Sequence, residues 1–225
     1  VTEGLRRRVP LLNKLTAQDA VRTPSVFQLM PHAAVVRFLD ENLKPIAVDL
    51  YDIEVWKRYG WSALHQVENT NGTDGRANDI DAYLVATLKR AQRFHQALDA
   101  VDAGSSKVVL LAIGGDCEET LNSPIVLRDQ ERNRWVTLTR PREFRTSTGV
   151  KISKKDATAA MYVPGDGRVT RSSLLGENLF KVHDPQTGFT LSRYAVFGCD
   201  LHGQLPRNKT LQDNALTLLV NEISN

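Results

Sequence analysis

Asp166 and His202 are the residues whose types and spacing point most directly to chemistry. Asp166 stands between glycines in Val163-Pro-Gly-Asp-Gly-Arg-Val-Thr-Arg-Ser172. His202 follows 36 residues later, in a loop bounded by Gly198 and Pro206. A carboxylate that holds an imidazole in one tautomer, and an imidazole that takes a hydroxyl proton, are the acid and base arms of serine-dependent acyl transfer. Each has a plainer reading alone: Asp-Gly is an ordinary turn pair, and a loop histidine needs no function. Their order and their placement after apolar runs join them. The third arm, a serine on a Gly-x-Ser-x-Gly turn, is not in these residues. Gly60-Trp-Ser-Ala-Leu64 comes nearest, but it lacks the second glycine and a preceding apolar strand. Ser105 and Ser106 stand before their strand, on the wrong side of it. None of these serines is assigned a catalytic role.

The elements that must position the pair are legible in part. Ile80, Tyr83, Leu84, Leu88, Ala91, Phe94, Leu98 and Val101 recur at helical steps, with Asn78 or Asp79 as cap and Gly104 beyond the end. His95 lies beside that stripe and reads as a packed or partly exposed helix histidine, not a ligand. Lys107–Ile113 is a continuous apolar run stopped by Gly114-Gly115, the pattern of a buried parallel strand. Ile125–Leu127 and Arg134–Thr139 read as a hairpin, and Tyr194–Phe197 as another buried strand. Ala159–Val163 reads as a run that feeds a strand ahead of the Asp166 turn. Lys209–Ser224 places Leu211, Ala215, Leu218, Leu219 and Ile223 on one helical face. Nearer the start, Thr23–Pro31 holds one or two helical turns, and the apolar runs Ala34–Leu39 and Pro45–Leu50 form a hairpin. Asp52 caps a short helix with Val55, Trp56 and Tyr59, ended by Gly60. Strands interspersed with helices predict an α/β class, a mostly parallel sheet covered by helices.

Composition narrows the function classes. Hydrophobic residues make up 41%, enough for a core, so wholesale disorder is not expected. The net charge is +3, and neither Arg6-Arg7-Arg8 nor Arg140, Arg142 and Arg145 carries the aromatic interleaving of a nucleic-acid groove. No nucleic-acid partner is expected. No metal-binding spacing is present, and no cofactor or metal is expected. Cys117 and Cys199 both follow strand runs and so can lie together, although two buried thiols is the plainer reading. No apolar stretch is long enough to span a bilayer. Val1 does not read as a native start, and the compartment stays open, with the cytoplasm favoured for the residues given.

Four stretches together resemble the lecithin:cholesterol acyltransferase family of α/β-hydrolases. They are Thr23-Pro-Ser-Val-Phe-Gln-Leu-Met-Pro31, Asp49-Leu-Tyr-Asp52 with Trp56 and Tyr59-Gly-Trp-Ser62, Pro164–Ser172, and His202-Gly-Gln-Leu-Pro-Arg-Asn208. They cover roughly residues 20–220 in the family's order. The Gly-Asp-Gly-x-Val part is shared with other lipases; its pairing with the Tyr-Gly-Trp stretch is more particular.

The resemblance implies that 1–225 is the C-terminal portion of one α/β-hydrolase domain. Residues of about 32–104 would form a cap, and 105–225 the late strands, the acid and base loops and the final helix. It implies cleavage of lipid esters, with the acyl group passed to water or an alcohol. Asp166 is then the triad acid, His202 the base, and Asp116 a loop residue and not the acid. Trp56, Tyr59 and Trp61 either face lipid from the cap, giving contact with a membrane or lipid surface, or pack its core. The serine and the early strands would precede residue 1. The chain by itself would then be inactive, and would fold poorly, oligomerise or require its missing N-terminal half. The alternative reading is a non-catalytic α/β-hydrolase-like binding domain that has lost its nucleophile.

Overall fold

The computed structural model describes residues 17–31, 37–62, 74–100, 112–175 and 196–223. The Arg6–Arg8 run, Gly104, Ser105, Ser106 and the apolar run up to residue 111 lie outside these. In chain order the helices and strands are α1 (Ala17–Val21), α2 (Pro24–Phe27), β1 (Phe38–Leu39), β2 (Pro45–Ile46), α3 (Ile53–Tyr59) and α4 (Asp74–Leu98). Then come β3 (Ile113–Gly115), β4 (Glu118–Leu121), β5 (Ile125–Asp129), β6 (Arg134–Leu138), β7 (Phe144–Arg145) and β8 (Lys151–Ile152). Last are α5 (Lys154–Met161), β9 (Tyr162–Gly165), α6 (Arg171–Leu175), β10 (Val196–Gly198) and α7 (Lys209–Ile223). The class is mixed α/β.

The chain forms two compact units, one of Val1–His32, Pro45–Ala100 and Val126–Thr137, the other of Ala33–Lys44, Val101–Ile125 and Leu138–Asn225. The first is built on α4. Its apolar stripe buries Leu84, Leu88 and Ala91 against Val21, Phe27 and Met30. Leu84 and Leu88 are wholly removed from solvent, each worth roughly 1.5–3 kcal/mol of burial. Helix α3 forms where its sequence signals put it. The Asp52 carboxylate accepts the Glu54 N–H, and Gly60 ends the helix at φ 64°, a left-handed conformation that a Cβ would disfavour.

Trp56, Tyr59 and Trp61 are half-buried and make ring contacts within the first unit. Trp56 lies 5.4 Å from the Phe27 ring and edge-on to Trp61, and Tyr59 lies edge-on to Trp135. The indole N–H groups of Trp56 and Trp61 donate to the Leu50 carbonyl and the Thr137 hydroxyl. His95 is also packed, 3% exposed, between the Tyr51 hydroxyl at 2.6 Å and the Gln28 carbonyl at 2.9 Å.

The second unit carries β1, β3, β4 and β7 to β10. β3 and β10 pair in parallel, Ile113 with Val196 through Gly115 with Gly198. Leu39 pairs in parallel with Ile125. β4 pairs antiparallel with β9, Glu118 opposite Gly165 through Leu121 opposite Tyr162, and β7 pairs antiparallel with β8. The turn between the first two apolar runs spans Asp40 to Lys44, with the Asp40 side chain accepting the Asn42 and Lys44 N–H groups. Helix α7 buries Leu211 but leaves Leu216, Leu219 and Val220 exposed.

Some expectations change. Pairing among the described strands is mixed, not mostly parallel, because Asp166 is delivered by a strand that folds back antiparallel on β4. The run Ala159–Val163 leads into strand β9 only from Tyr162, and Ala159–Met161 closes helix α5. Ser153 accepts the Asp156 N–H and starts α5, and Ala157 and Met161 are fully buried. Helix α4 begins at Asp74, before Asn78, so Gly75 lies inside it; core packing outweighs the cost of about 1 kcal/mol for a helical glycine. Leu219 does not share the buried face of α7 with Leu211. The strand expected to stop at Gly114-Gly115 runs through both.

Candidate active site

Asp166 leaves β9 in a tight loop that its own side chain closes. Its Oδ1 accepts the N–H groups of Arg168 at 2.9 Å and Val169 at 2.8 Å, and its N–H donates to the Val169 carbonyl. Gly167 takes φ 83°, which few side chains tolerate. The loop thus turns the second carboxylate oxygen, Oδ2, toward His202.

The imidazole Nδ1 lies 2.9 Å from Asp166 Oδ2. A carboxylate can only accept, so Nδ1 carries the proton and the neutral ring presents a bare Nε2. The carboxylate is 4% exposed and the imidazole 49%. The acid is therefore shielded while the base reaches solvent. Among the described residues, no serine hydroxyl bonds Nε2. Burial pushes the Asp166 carboxyl up. The Val169 N–H, His202 and the Arg168 N–H together outweigh it and hold the group below its ordinary 3.8. The fold thus favours Asp166 as a carboxylate held against the imidazole Nδ1.

Two parallel strand ends carry this geometry. Asp166 sits against Gly115 at the end of β3, and His202 follows β10. A Cβ on Gly115 would lie 2.7 Å from the Asp200 carbonyl oxygen and 2.9 Å from the Asp166 Cβ. Gly115 is what lets the acid loop and the chain leading to His202 close on the strand end. Asn208 caps α7 by accepting the Leu211 N–H, and its amide N–H donates to Asp200.

Cys117 and Cys199 are joined as a disulfide, closing a separation of 82 residues. They are exposed, not two buried thiols. The β3–β10 register explains the pairing, since Cys117 stands two residues past Gly115 and Cys199 directly after Gly198. Asp116, between Gly115 and Cys117, is a loop residue whose Oδ2 lies 3.6 Å from Arg171 Nη1. Ser62 is 1% exposed, out of reach of an external ester.

Compared with models of known families, with curated proteins and with solved structures, the chain matches none. Among the described residues no group of three or more His, Cys, Asp or Glu side chains is arranged to hold a metal ion. Among the described residues no helix is long and apolar enough to cross a membrane.

Both residues singled out from the sequence, Asp166 and His202, are brought together. Sequence reasoning missed the groups that hold them: the Arg168 and Val169 N–H groups and Gly115. The Asp-Gly turn signal pointed to the first two. Gly115 was marked only as a strand stop; the space it leaves matters because Asp166 and Asp200, distant in sequence, close on it.

Proposed function

We propose that Asp166 and His202 are the acid and base of a Ser-His-Asp acyl-transfer site. The reaction is cleavage of a lipid ester, with the acyl group passed to water or to an alcohol. The observation that carries this reading is the shielded Asp166 carboxylate bonded to Nδ1, with Nε2 bare on the half-exposed side of the ring. The late strands of an α/β-hydrolase fold, in the manner of the lecithin:cholesterol acyltransferases, are the architecture that fits. Support comes from the end of the parallel β3–β10 pair, where the His202 loop follows β10 and the Asp166 loop packs against Gly115. The lipid preference rests on the resemblance of the four stretches named above.

In this mechanism the serine comes from a segment outside these residues. His202 Nε2 takes the proton of the serine hydroxyl as its oxygen bonds the ester carbonyl carbon. Asp166 stabilises the imidazolium that forms. The tetrahedral intermediate then breaks its bond to the leaving oxygen, and Nε2 returns the proton to that oxygen. Water or an acceptor alcohol, deprotonated by the same nitrogen, attacks the acyl-enzyme and frees the serine.

The test compares the full-length protein that carries these residues with its His202→Ala form. Hydrolysis of a short-chain ester and labelling by a serine-reactive phosphonate are measured. Activity and labelling in the first form, and loss of both in the second, are expected. Hydrolysis that survives His202→Ala unchanged would overturn the assignment.

A further inference from the structure

Four consecutive backbone N–H groups, those of Asp166, Gly167, Arg168 and Val169, shape the acid loop. Three are satisfied inside it: the first by the Val169 carbonyl, the last two by Asp166 Oδ1. The Gly167 N–H alone points out of the loop, and it donates to the Thr120 hydroxyl oxygen at 2.8 Å. Thr120 lies on β4 and is 1% exposed. Its own hydroxyl proton goes to the Glu118 carbonyl, 3.1 Å away, which leaves the lone pairs facing Gly167. The approach is close because Gly165 has no side chain. A Cβ there would lie 2.8 Å from the Thr120 Cβ and closer still to its Oγ1 and to the Val169 carbonyl.

We propose that Thr120 is a positioning residue for the acid–base pair: its buried hydroxyl anchors the Asp166 loop to β4 through Gly167 and so aims Oδ2 at His202 Nδ1. This rests on the acid and base roles proposed above. A buried N–H that loses its acceptor must find another, and the nearest way is for the loop to rotate. Rotation about Gly167 redirects the carboxylate that Arg168 and Val169 hold. His202 then loses the partner that fixes its tautomer, and the proton moves toward Nε2, where it blocks base catalysis. Thr120 touches no substrate and acts only through Asp166.

The experiment uses the full-length protein with ¹⁵N-labelled histidine, and three variants: Thr120→Val, Thr120→Ala and Thr120→Ser. The ring ¹⁵N shifts of His202 report which nitrogen is protonated, and the signal is assigned by its loss in His202→Gln. Thermal melts check that each variant folds. Wild type and Thr120→Ser are expected to show the Nδ1–H form. Thr120→Val is expected to shift toward Nε2–H, with kcat for a short-chain ester lowered roughly tenfold or more and KM little changed. A folded Thr120→Val with wild-type ring shifts overturns the proposal. If Thr120→Val does not fold, Thr120→Ala is read in its place, with the same outcomes. The ring shifts need no turnover. A protein without esterase activity therefore defeats the functional reading while leaving the Thr120 anchor to stand or fall on the spectra.

Discussion

Asp166 and His202 are joined twice, once by side chains and once by backbone. Nδ1 bonds Oδ2 at 2.9 Å, and the His202 N–H donates to the Asp166 carbonyl at 2.8 Å. The backbone bond fixes where the histidine enters, and the side-chain bond fixes how its ring turns. Asp166→Asn would keep the first and weaken the second, since an amide N–H cannot accept from Nδ1–H. A fall in kcat on the order of 10³–10⁴-fold in the full-length protein is expected. Steady-state ester hydrolysis measures it, and a loss below tenfold would contradict the role given to Asp166.

The lowered carboxyl of Asp166 has a definite consequence for stability. Its folded value lies below the ordinary 3.8, so the folded state favours the charged form. That contribution is fully present above about pH 4 and is lost as pH falls through the folded value. Urea midpoints of wild type and Asp166→Asn, compared from pH 6 down to pH 3, are expected to converge as pH drops. A gap that widens toward low pH would mean the sign is wrong.

Gly115→Ala should damage the site by pressing on the Asp166 loop and the chain leading to His202, without replacing either residue. Two of the three atoms that the added methyl meets within 3.2 Å are backbone carbonyl oxygens, of Asp200 and Gly198, and these cannot rotate away. A loss of about 1–3 kcal/mol is expected, seen as a lowered melting temperature, together with reduced ester turnover. Gly149→Ala is the comparison for location, because nothing lies within 4 Å of a Cβ there, although its φ of 85° adds local strain. Its turnover should stay near wild type.

In the helical unit the sensitive contact is Tyr51 with His95. The Gln28 carbonyl can only accept, so in the neutral ring Nε2 holds the proton and Nδ1 accepts the Tyr51 hydroxyl. Tyr51→Phe removes that donor from a histidine that is 3% exposed. A cost of about 1–2 kcal/mol is expected from urea denaturation. An unchanged midpoint would show that the bond contributes nothing net.

The parts of the structure that were legible in the sequence are those decided within a few residues. Asp52 and Gly60 frame α3 because a side-chain cap and a left-handed glycine act locally. The buried stripe of α4 is written in the three- and four-residue spacing of Leu84, Leu88 and Ala91. Asp166 stood out because flanking glycines mark a turn. What escaped was settled across distance or by competing local signals. Ala159–Met161 suits either helix or strand, and Ser153 with Asp156 tips it to helix. The glycines after Ile113 read as a strand end, yet they continue the strand because Asp166 and Asp200 need the space. Thr120 looks like any strand threonine until Gly167 is folded over it.

The covalent link between Cys117 and Cys199 bears on how and where the molecule can mature. Exposed cysteines of this kind stay bonded in oxidising compartments and are kept reduced by cytosolic thiols. Closing 82 residues of chain narrows the unfolded ensemble by about 4 kcal/mol in the chain-entropy account. Material made in a reducing cytosol would therefore begin as a looser dithiol form, with the ends of β3 and β10 unclasped beside the acid and the base. Choice of host becomes part of the chemistry: secretion or an oxidising strain should yield the clasped form, and thiol counting will tell the two preparations apart.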